Sequence, residues 1–472
     1  MTSVRSLVPR RTRTRLRGWQ LKVARRGHEP RPPVTPVGVK MELTWRCNLR
    51  CGFCYTDSPR HTLARTPDLP DEAWLGLVDD VLELGIVEAV VTGGEPLLRR
   101  DLALDVIDRL SRAGVAVVLN TNGWFVDEAV ADRLARAPGL RVFVSIDGAV
   151  PALHDAARGV PGSWNRATGA AHLLLERGVH VEVPHVVTPD NVEHLPAFLS
   201  CMASLGVDGV AVTPVQQVGA AARSARWSVD RRGVEGAVRA FRRSCGERPA
   251  VTVRGEVSHV LDAYEQRVPR SMLLRPNGDV RRESIMPFVF GNALRDGVAE
   301  CWEQIRTRWN EPDLRRWARE SSRGDLHEAS LVAYRDADVD LGGGTREGAL
   351  ALDSPEPAPV PQAPVTVRGL AESRASLARL AASRRYRLGD VRWAEDVDGA
   401  RLVRVPATGA KVRLNSTAGV VMDACAGGTL ADATARLVAC YPGEDPARLA
   451  RDAAGSINRL VGDRIIRPAL AP

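Results

Sequence analysis

The sequence predicts an α/β fold, namely a partial (β/α)6 TIM-like barrel followed by a small C-terminal winged-helix domain with three strands and three helices. Three observations lead to this prediction. Strand and helix patterns alternate between residues 37 and 213. Polar or glycine-rich segments follow four of the predicted strands at their carboxyl ends. The last part of the chain changes to three short strand patterns followed by three helix patterns.

The six predicted barrel strands are short apolar segments, at residues 37–44, 88–92, 115–119, 141–146, 180–187 and 209–213. The helices between them carry apolar residues at helical spacing, at residues 70–84, 101–112, 127–137, 164–177 and 195–205. In the first of these helices, Pro70 stands near the start and Gly85 follows the end. Such alternation predicts parallel strands that right-handed crossovers curl into a barrel.

Three cysteines follow the first strand within the segment LTWRCNLRCGFCYTDS. Cys47, Cys51 and Cys54 have the spacing C-x-x-x-C-x-x-C. Three thiolates cannot complete a tetrahedral zinc site without a fourth ligand, for which Asp57 and His61 are the candidates. They can instead hold three irons of a 4Fe-4S cluster and leave the fourth iron open. The segment alone is compatible with both kinds of site.

Other chemically distinctive segments follow the next three strands. They are Gly93-Gly94-Glu95-Pro96, Asn120-Thr121-Asn122-Gly123 and Ser145-Ile146-Asp147-Gly148. Because the carboxyl ends of barrel strands face one common site, these segments and the cysteines are expected to converge on a single pocket.

The combination of CNLRCGFCY, TGGEP, NTNG and VSIDG resembles the radical S-adenosylmethionine (SAM) superfamily over about residues 37–235, and especially its members that modify ribosomally made peptides. The resemblance implies that Cys47, Cys51 and Cys54 hold one 4Fe-4S cluster and that SAM binds its open iron. It also implies reductive cleavage of SAM to a 5′-deoxyadenosyl radical, which abstracts a hydrogen atom from the substrate. An external electron donor such as flavodoxin or ferredoxin is then required.

The resemblance also assigns cofactor contacts. Gly93 and Gly94 would let the backbone approach the methionine ammonium, Glu95 would assist through its charge, and Pro96 would stiffen the turn. The further contacts expected with SAM or near the cluster are Asn120, Asn122 and Asp147 to the ribose or methionine end, Ser145 and Arg158 to the carboxylate, and Phe53 beside the cluster. His154 and Asp155 are expected to bond locally rather than act as acid and base.

Residues 236–345 are predicted to form an extension. LRPNGDV and Gly291-Asn292, with Trp302 nearby, resemble a SPASM or Twitch domain, but Arg281 to Ser284 stand where a cysteine for an auxiliary cluster is expected. The sequence therefore predicts a single cluster, and leaves open whether the product is a cross-link or an epimer. Epimerisation needs a hydrogen donor, for which Cys301 is the main candidate and Cys245 and Cys201 are others; inert buried thiols are the alternative.

A proline-rich linker, residues 346–366, precedes the predicted C-terminal domain, residues 367–472. Its strand patterns lie at 386–393, 401–405 and 411–414, and its helix patterns at 417–425, 430–440 and 447–460. The domain resembles PqqD, a peptide chaperone, at Val412 to Asn415, Ala418, Gly427-Gly428-Thr429, Leu437, Tyr441 and Asp452 to Leu460. The resemblance implies that residues 386–464 bind the leader of a precursor peptide as an added strand. A generic DNA-binding winged helix is the alternative.

Composition and charge narrow the possible partners and the cellular location of the protein. The net charge of +8 is concentrated in a basic tail, residues 1–36, but no nucleic-acid motif accompanies it, so no nucleic-acid partner is expected. No apolar run is long enough to cross a membrane, and clustered cysteines favour a reducing cytoplasm. The sequence thus predicts a peptide-modifying radical SAM enzyme. Its rivals are a radical SAM enzyme acting on a small or carrier-bound substrate, and a non-catalytic iron–sulfur winged-helix regulator.

Overall fold

The fold was analysed in a computed structural model of the full chain. The structure describes residues 32–58, 67–216, 218–223, 227, 229–245, 249–254, 268–284, 288–312, 314–315, 339–340, 344–345, 369, 372–373, 375–377, 386–388, 392–394, 401–405, 410–414, 416–425, 428–462 and 466–468. Most of the basic tail, His61, the proline-rich linker, Asn415 and Gly427 lie outside these residues, as does the side chain of Cys245.

A parallel sheet forms the wall of the barrel, as predicted. Its strands are β1 (Gly38–Glu42), β2 (Glu88–Thr92), β3 (Ala116–Thr121), β4 (Arg141–Val144), β5 (His180–Val187), β6 (Gly209–Pro214) and β7 (Ala250–Val253). They pair side by side in chain order, and every pairing is parallel. Their carboxyl ends therefore lie at the same edge of the sheet.

Helices cover the outside of this sheet. They are α1 (Asp71–Glu83), α2 (Arg100–Arg112), α3 (Glu128–Ala135), α4 (Pro151–Arg158), α5 (Ser163–Glu176), α6 (Leu195–Leu205) and α7 (Arg231–Cys245). Alternate strand residues such as Val142 and Val144 pack with helix residues in one large hydrophobic core. The residue between them, Phe143, is buried but does not belong to that core. Strand alternation therefore turns Phe143 and its equivalents toward the barrel interior, called the lumen below.

Three barrel elements were not predicted from the sequence, namely α4, α7 and β7. Helix α4 begins with proline at its first turn and is followed by Gly159 in the left-handed conformation, but it has only eight residues. Strand β7 adds a seventh parallel strand beyond β6, so the predicted barrel boundary at residue 235 falls within α7. A four-residue strand carries too little periodicity to be distinguished from a loop.

The extension continues the sheet on the other side of β1. Strand β8 (Ser271–Leu274) pairs parallel with β1 and forms an antiparallel hairpin with β9 (Asp279–Arg281), which pairs in turn with β10 (Phe288–Asn292). Helices α8 (Ala293–Asp296) and α9 (Val298–Arg308) follow, and β11 (Val339–Asp340) and β12 (Gly344–Thr345) end the sheet. The NGD segment is thus the turn of a hairpin attached to the barrel.

The C-terminal region has its own sheet and hydrophobic core. An antiparallel sheet contains β14 (Arg392–Ala394), β15 (Arg401–Val405) and β16 (Ala410–Leu414), and the helices are α10 (Ser416–Ala424), α11 (Leu430–Cys440) and α12 (Pro446–Gly462). The predicted strand 386–393 is in fact two strands, because β13 (Tyr386–Leu388) pairs with β17 (Ile466–Pro468) instead. The winged-helix assignment stays a prediction. None of the described helices is long and apolar enough to span a membrane.

Candidate active site

The cysteine loop that follows β1 is held tightly by three glycines from three other segments. Each glycine lies so close to the loop backbone that a Cβ atom would stand 2.6 Å or less from a backbone atom of the loop. The pairs are Gly94 with the carbonyl carbon of Arg46, Gly159 with the carbonyl oxygen of Arg50, and Gly219 with the carbonyl carbon of Tyr55. Any larger residue would collide with the loop, so these glycines allow β2, α4 and the segment after β6 to close around the cysteines.

Backbone hydrogen bonds hold the loop at the same places. Gly94 N–H donates to Thr44 O and Glu95 N–H donates to Arg46 O, each at 2.8 Å. Arg50 N–H donates to Arg158 O at 2.9 Å. We had expected Gly93 and Gly94 to serve the approach of a ligand. Their contacts with the loop show that they also have a structural role, which is to bring the β2 turn onto the cysteine loop.

Each of the three cysteine sulfurs has a hydrogen-bonding group beside it. Leu49 N lies 3.4 Å from Cys47 Sγ, Arg158 Nη1 lies 3.6 Å from Cys51 Sγ, and Thr56 Oγ1 lies 3.2 Å from Cys54 Sγ. Burial, with the neighbouring Cys51 thiol as a smaller cause, raises the pKa of Cys47 to about 12. Burial also raises the pKa of Cys51 to about 11, although Arg158 opposes this rise. Without a metal the two thiols therefore stay protonated at neutral pH, and metal binding has to displace their protons.

The donor set fits an iron–sulfur cluster. Among the residues that the structure describes, no three His, Cys, Asp or Glu side chains are close enough to share one metal ion. A cube-shaped cluster makes a different demand, because each thiolate binds a different iron. Three thiols on one loop, each beside a hydrogen-bond donor, meet that demand, since hydrogen bonds to the sulfurs stabilise thiolates and tune their cluster.

Glu95 lies at the centre of the strand-end cluster and is buried, with 1% of its surface exposed. Its carboxylate accepts hydrogen bonds from Leu97 N, Thr121 Oγ1 and Asn122 N at 2.7–3.1 Å. Burial is the largest influence and raises the pKa of Glu95 to about 7, while those hydrogen bonds oppose it. Glu95 is thus a buried carboxyl that titrates near neutral pH, and its ionised form would attract a cationic ligand group.

Asp147 and Arg158 form a buried ion pair beside Cys51. Arg158 Nη2 lies 2.5 Å from Asp147 Oδ2, and Asp147 has no exposed surface. The other carboxylate oxygen of Asp147 accepts a hydrogen bond from Val186 N at 2.7 Å. Asp147 therefore faces protein groups in this structure, and its expected contact with the ribose or methionine end of SAM stays a prediction. Its side chain instead fixes Arg158, whose second nitrogen reaches Cys51.

Phe53, which stands between Cys51 and Cys54 in the cysteine loop, belongs to a small apolar cluster. Its ring meets Trp227 edge to face at a centroid distance of 6.0 Å, and Val215 and Ala221 complete the buried cluster. The guanidinium of Arg158 lies 5.6 Å from the centre of the Phe53 ring. The cluster shields the loop from water on this side. Trp227 was not identified from the sequence, because it follows the last predicted strand without any motif.

The other residues predicted to contact SAM differ in their surroundings, and they are Asn120, Asn122, Ser145 and Pro96. Asn120 Oδ1 is buried and has no hydrogen-bond partner among the residues that the structure describes. Asn122 donates its side-chain amide to Asn48 Oδ1 at 2.9 Å, so it holds the cysteine loop. Ser145 follows β4 and donates its backbone N–H to Thr121 O. Pro96 is buried at the start of a short 3-10 helix, Pro96–Arg99. Asn120 thus has a buried acceptor atom that is unused among the described residues.

His154, Asp155 and Cys301 are three of the residues that were considered for acid, base or hydrogen-donor roles. His154 and Asp155 bond locally, as predicted: His154 Nδ1 accepts from Asp147 N, and Asp155 accepts from Gly162 N and Trp164 N. Cys301 lies on α9 and is fully buried in the hydrophobic core, where its sulfur faces Gly291 of β10. Burial raises its pKa to about 12.

Lys40 of β1 is another residue beside the cysteine loop that no sequence motif indicated. Its ammonium lies 4.8 Å from the centre of the Tyr55 ring and donates to Ser284 Oγ at 3.1 Å. Burial lowers its pKa, but attraction to Tyr55 and Glu42 outweighs this and the net pKa is raised. Lys40 therefore connects the cysteine loop with the extension as a permanent cation. The alternation of β1 would have shown its orientation, but not its partners.

Comparison with known proteins identifies two domains. The model of the radical SAM superfamily matches residues 41–202, and the model of coenzyme PQQ synthesis protein D (PqqD) matches residues 403–466. The chain therefore carries a radical SAM domain followed by a PqqD domain. The match to the radical SAM superfamily implies a 4Fe-4S cluster and SAM as the cofactors of the first domain.

Among similar proteins are two PqqA peptide cyclases. The one from Granulibacter bethesdensis is 29% identical over 39% of this chain and 48% of its own length. The one from Xanthomonas campestris pv. campestris is 26% identical over 57% of this chain and 74% of its own length. The chain thus spans about half of the first relative and about three quarters of the second. Among solved structures, Streptococcus suis SuiB bound to precursor peptide SuiA matches with a TM-score of 0.48 and 16% identity, covering 60% of this chain and 66% of that chain.

Proposed function

We propose that this protein is a radical SAM enzyme that modifies a ribosomally synthesised precursor peptide, whose leader binds to the C-terminal domain. The observation that carries the proposal is the presence of a radical SAM domain and a PqqD domain in one chain. The similarity to two PqqA peptide cyclases agrees with it. The modification would be a cross-link or an epimerisation, and a flavodoxin or ferredoxin would supply electrons in the cytoplasm.

Cys47, Cys51 and Cys54 would hold the cluster. When bound, the cluster and SAM supply one-electron hydrogen-abstraction chemistry. The protein contributes the surroundings. Arg158 donates toward Cys51 Sγ, and the apolar cluster around Phe53 excludes water from the loop. Ionised Glu95 would attract the methionine ammonium of SAM, and Gly93 and Gly94 would bring the β2 turn that carries Glu95 onto the cysteine loop. We further propose that Asn120 Oδ1 accepts a hydrogen bond from SAM, because a buried acceptor without a partner is rare in native proteins.

The domain arrangement supports delivery of a peptide. In the described residues, β16 pairs with β15 on one side and forms the edge of its sheet. A leader added to this edge would gain main-chain hydrogen bonds, and the attached core peptide would gain a higher effective concentration at the barrel. We propose that the chain consists of four regions after the tail. The barrel covers about residues 37–235 together with β7, and the SPASM- or Twitch-like extension follows it to residue 345. A linker covers residues 346–366, and the leader-binding domain covers residues 367–472.

The test is an anaerobic assay of the full-length protein with SAM and dithionite, following 5′-deoxyadenosine, combined with binding of a labelled leader peptide encoded by a neighbouring short gene. We expect 5′-deoxyadenosine from the wild type and none from single alanine variants of Cys47, Cys51 and Cys54. A scrambled leader of the same composition is the control for binding. Cleavage of SAM without leader binding would favour a small or carrier-bound substrate. A cluster without SAM cleavage would favour a regulator.

A further inference from the structure

An arginine at the end of β7 has a buried donor that no described residue of the protein uses. Arg254 follows β7 directly, and its backbone N–H donates to Val212 O of β6 at 2.8 Å, which fixes it in register with the sheet. Its Nη2 atom is shielded from solvent and has no hydrogen-bond partner in the part of the chain that the structure describes. Buried guanidinium nitrogens are almost always satisfied in native proteins, because leaving one unpaired costs the full desolvation of the group.

The side chain of Arg254 points into the lumen. Its guanidinium carbon lies 5.9 Å from the centre of the Phe143 ring. Phe143 is turned away from the helices, since Val142 and Val144 on either side of it pack in the main core. Val251 of β7 also belongs to that core, which leaves Arg254, three residues further on, on the opposite face. The unused donor therefore faces the space enclosed by the barrel strands.

The charges around Arg254 leave a positive excess. Glu182 is the acidic residue that attracts it among the described residues, and Arg141 repels it. Glu182 already forms an ion pair with Arg141 and contacts His180 Nε2 at 3.2 Å. Two guanidinium groups thus share one carboxylate beside an aromatic ring. Burial lowers the pKa of Arg254, and attraction to Glu182 does not restore it, which is the expected behaviour of a cation whose counter-ion is missing.

We propose that Arg254 binds a carboxylate of the substrate within the lumen. The planar fork of a guanidinium matches a carboxylate through two parallel hydrogen bonds. This inference rests on the proposed function, in which a peptide enters the barrel, and it adds that the peptide presents an acidic group at the end of β7. The carboxylate belongs either to an aspartate or glutamate side chain or to the C-terminus of the peptide. Both sources have the same chemistry, and the test separates them.

The experiment uses the full-length protein with its cluster reconstituted and SAM present, but without reductant. Three small probes are titrated by ligand-observed NMR: N-acetylglutamate N-methylamide, N-acetylglutamine N-methylamide and N-acetylglutamine with a free carboxylate. We expect the wild type to bind at least one of the two acidic probes about tenfold or more tightly than the neutral one, since a hydrogen bond to a charged group contributes about 1.5–3 kcal/mol and 1.4 kcal/mol is tenfold. The preferred acidic probe identifies the source.

The variants are Arg254→Gln and Arg254→Lys, with Arg239→Gln as a matched control on the exposed face of α7. Arg254→Gln should remove the preference for the acidic probe, Arg254→Lys should keep part of it, and Arg239→Gln should keep all of it. Equal binding of acidic and neutral probes to the wild type, or no acidic probe bound at 50 mM (roughly the weakest binding such titrations detect), would overturn the proposal without needing any variant. A preference that persists in Arg254→Gln would do the same.

SAM also carries a carboxylate, so its affinity is measured in the same variants. If Arg254→Gln weakens SAM binding as much as it weakens binding of the acidic probe, Arg254 serves the cofactor and the proposal is wrong. Leader binding and formation of 5′-deoxyadenosine do not involve this arginine in our scheme. Failure of the carboxylate preference would therefore leave the proposed function standing, and loss of those two activities in the wild type would refute that function independently.

Discussion

Replacing Gly94 with alanine tests whether the β2 turn positions the cysteine loop. A Cβ on Gly94 would stand 2.6 Å from the carbonyl carbon of Arg46 and 2.7 Å from the carbonyl oxygen of Trp45. Ordinary van der Waals contact begins at 3.4 Å, so the two backbones would have to separate by at least 0.8 Å. Both groups are backbone and cannot rotate away. Gly94 has no positive φ, so the substitution adds steric conflict without conformational strain.

The separation would act on two backbone hydrogen bonds, from Gly94 N to Thr44 O and from Glu95 N to Arg46 O. Overpacking costs about 1–3 kcal/mol, and each weakened hydrogen bond about 1 kcal/mol. We therefore expect Gly94→Ala to lower the free energy of unfolding by about 3–5 kcal/mol. Because Arg46 immediately precedes Cys47, the same shift should reduce the iron bound after reconstitution. Urea unfolding of the metal-free protein and iron analysis with visible absorption measure the two effects.

The matched control is Gly76→Ala in α1, where a Cβ would meet nothing within 4 Å. Alanine there should stabilise the protein by about 0.5–1 kcal/mol, because glycine is a poor helix residue. Equal unfolding midpoints and equal iron contents in the two variants would refute the reasoning, since they would mean that the loop tolerates displacement of the β2 turn.

Three further predictions follow from the buried charges and the helix caps. Because burial raises the pKa of Glu95 to about 7, its ionised fraction should grow from about one tenth at pH 6 to about nine tenths at pH 8. Calorimetry should then show SAM affinity rising about tenfold over this range, and a pH-independent affinity would exclude Glu95 as the ammonium site. Arg158→Met should cost about 3–5 kcal/mol by leaving Asp147 unpaired, and adding Asp147→Asn should restore part of it; additive losses in the unfolding cycle would contradict the pair. Thr429→Ala should lower the stability of the C-terminal domain by about 0.5–2 kcal/mol by removing the capping box with Asp432, whereas an unchanged thermal transition would show that the cap contributes little.

The general architecture could be predicted because hydrophobic periodicity determines both element type and buried face. β5 and α6 were predicted with the bounds that the structure has, since both are long enough to show their period. The convergence of the cysteines, Glu95 and Asn122 follows from parallel strands, whose carboxyl ends share one edge. Short elements cannot be predicted from periodicity in this way. The pattern at 386–393 predicts one strand, but its two halves pair with different partners, and pairing partners are not encoded in local periodicity.

The individual contacts at the site could not be predicted for a related reason. Strand alternation shows that Lys40 and Arg254 face the lumen, but not which charges lie opposite them. Asp147 was expected to contact a ligand because its motif follows a strand. The structure pairs it with Arg158 of α4, a helix that the sequence analysis had not identified. A residue's role near the site therefore depends on a partner that an unpredicted element supplies.

The contacts of the cysteine loop imply that its shape is set before any metal binds. The backbone of the loop is held from β2, from the end of α4 and from the segment after β6, through hydrogen bonds that involve Glu95, Arg158 and Ala220. None of these bonds uses a cysteine sulfur, so none competes with a cluster for a ligand. Metal binding to a preformed loop costs less conformational entropy than binding to a disordered one. It does have to remove protons from the thiols of Cys47 and Cys51, whose pKa values burial has raised. Proton release is therefore a cost of assembling the cluster that a preformed loop does not remove, and assembly should become more favourable as the pH rises toward those pKa values.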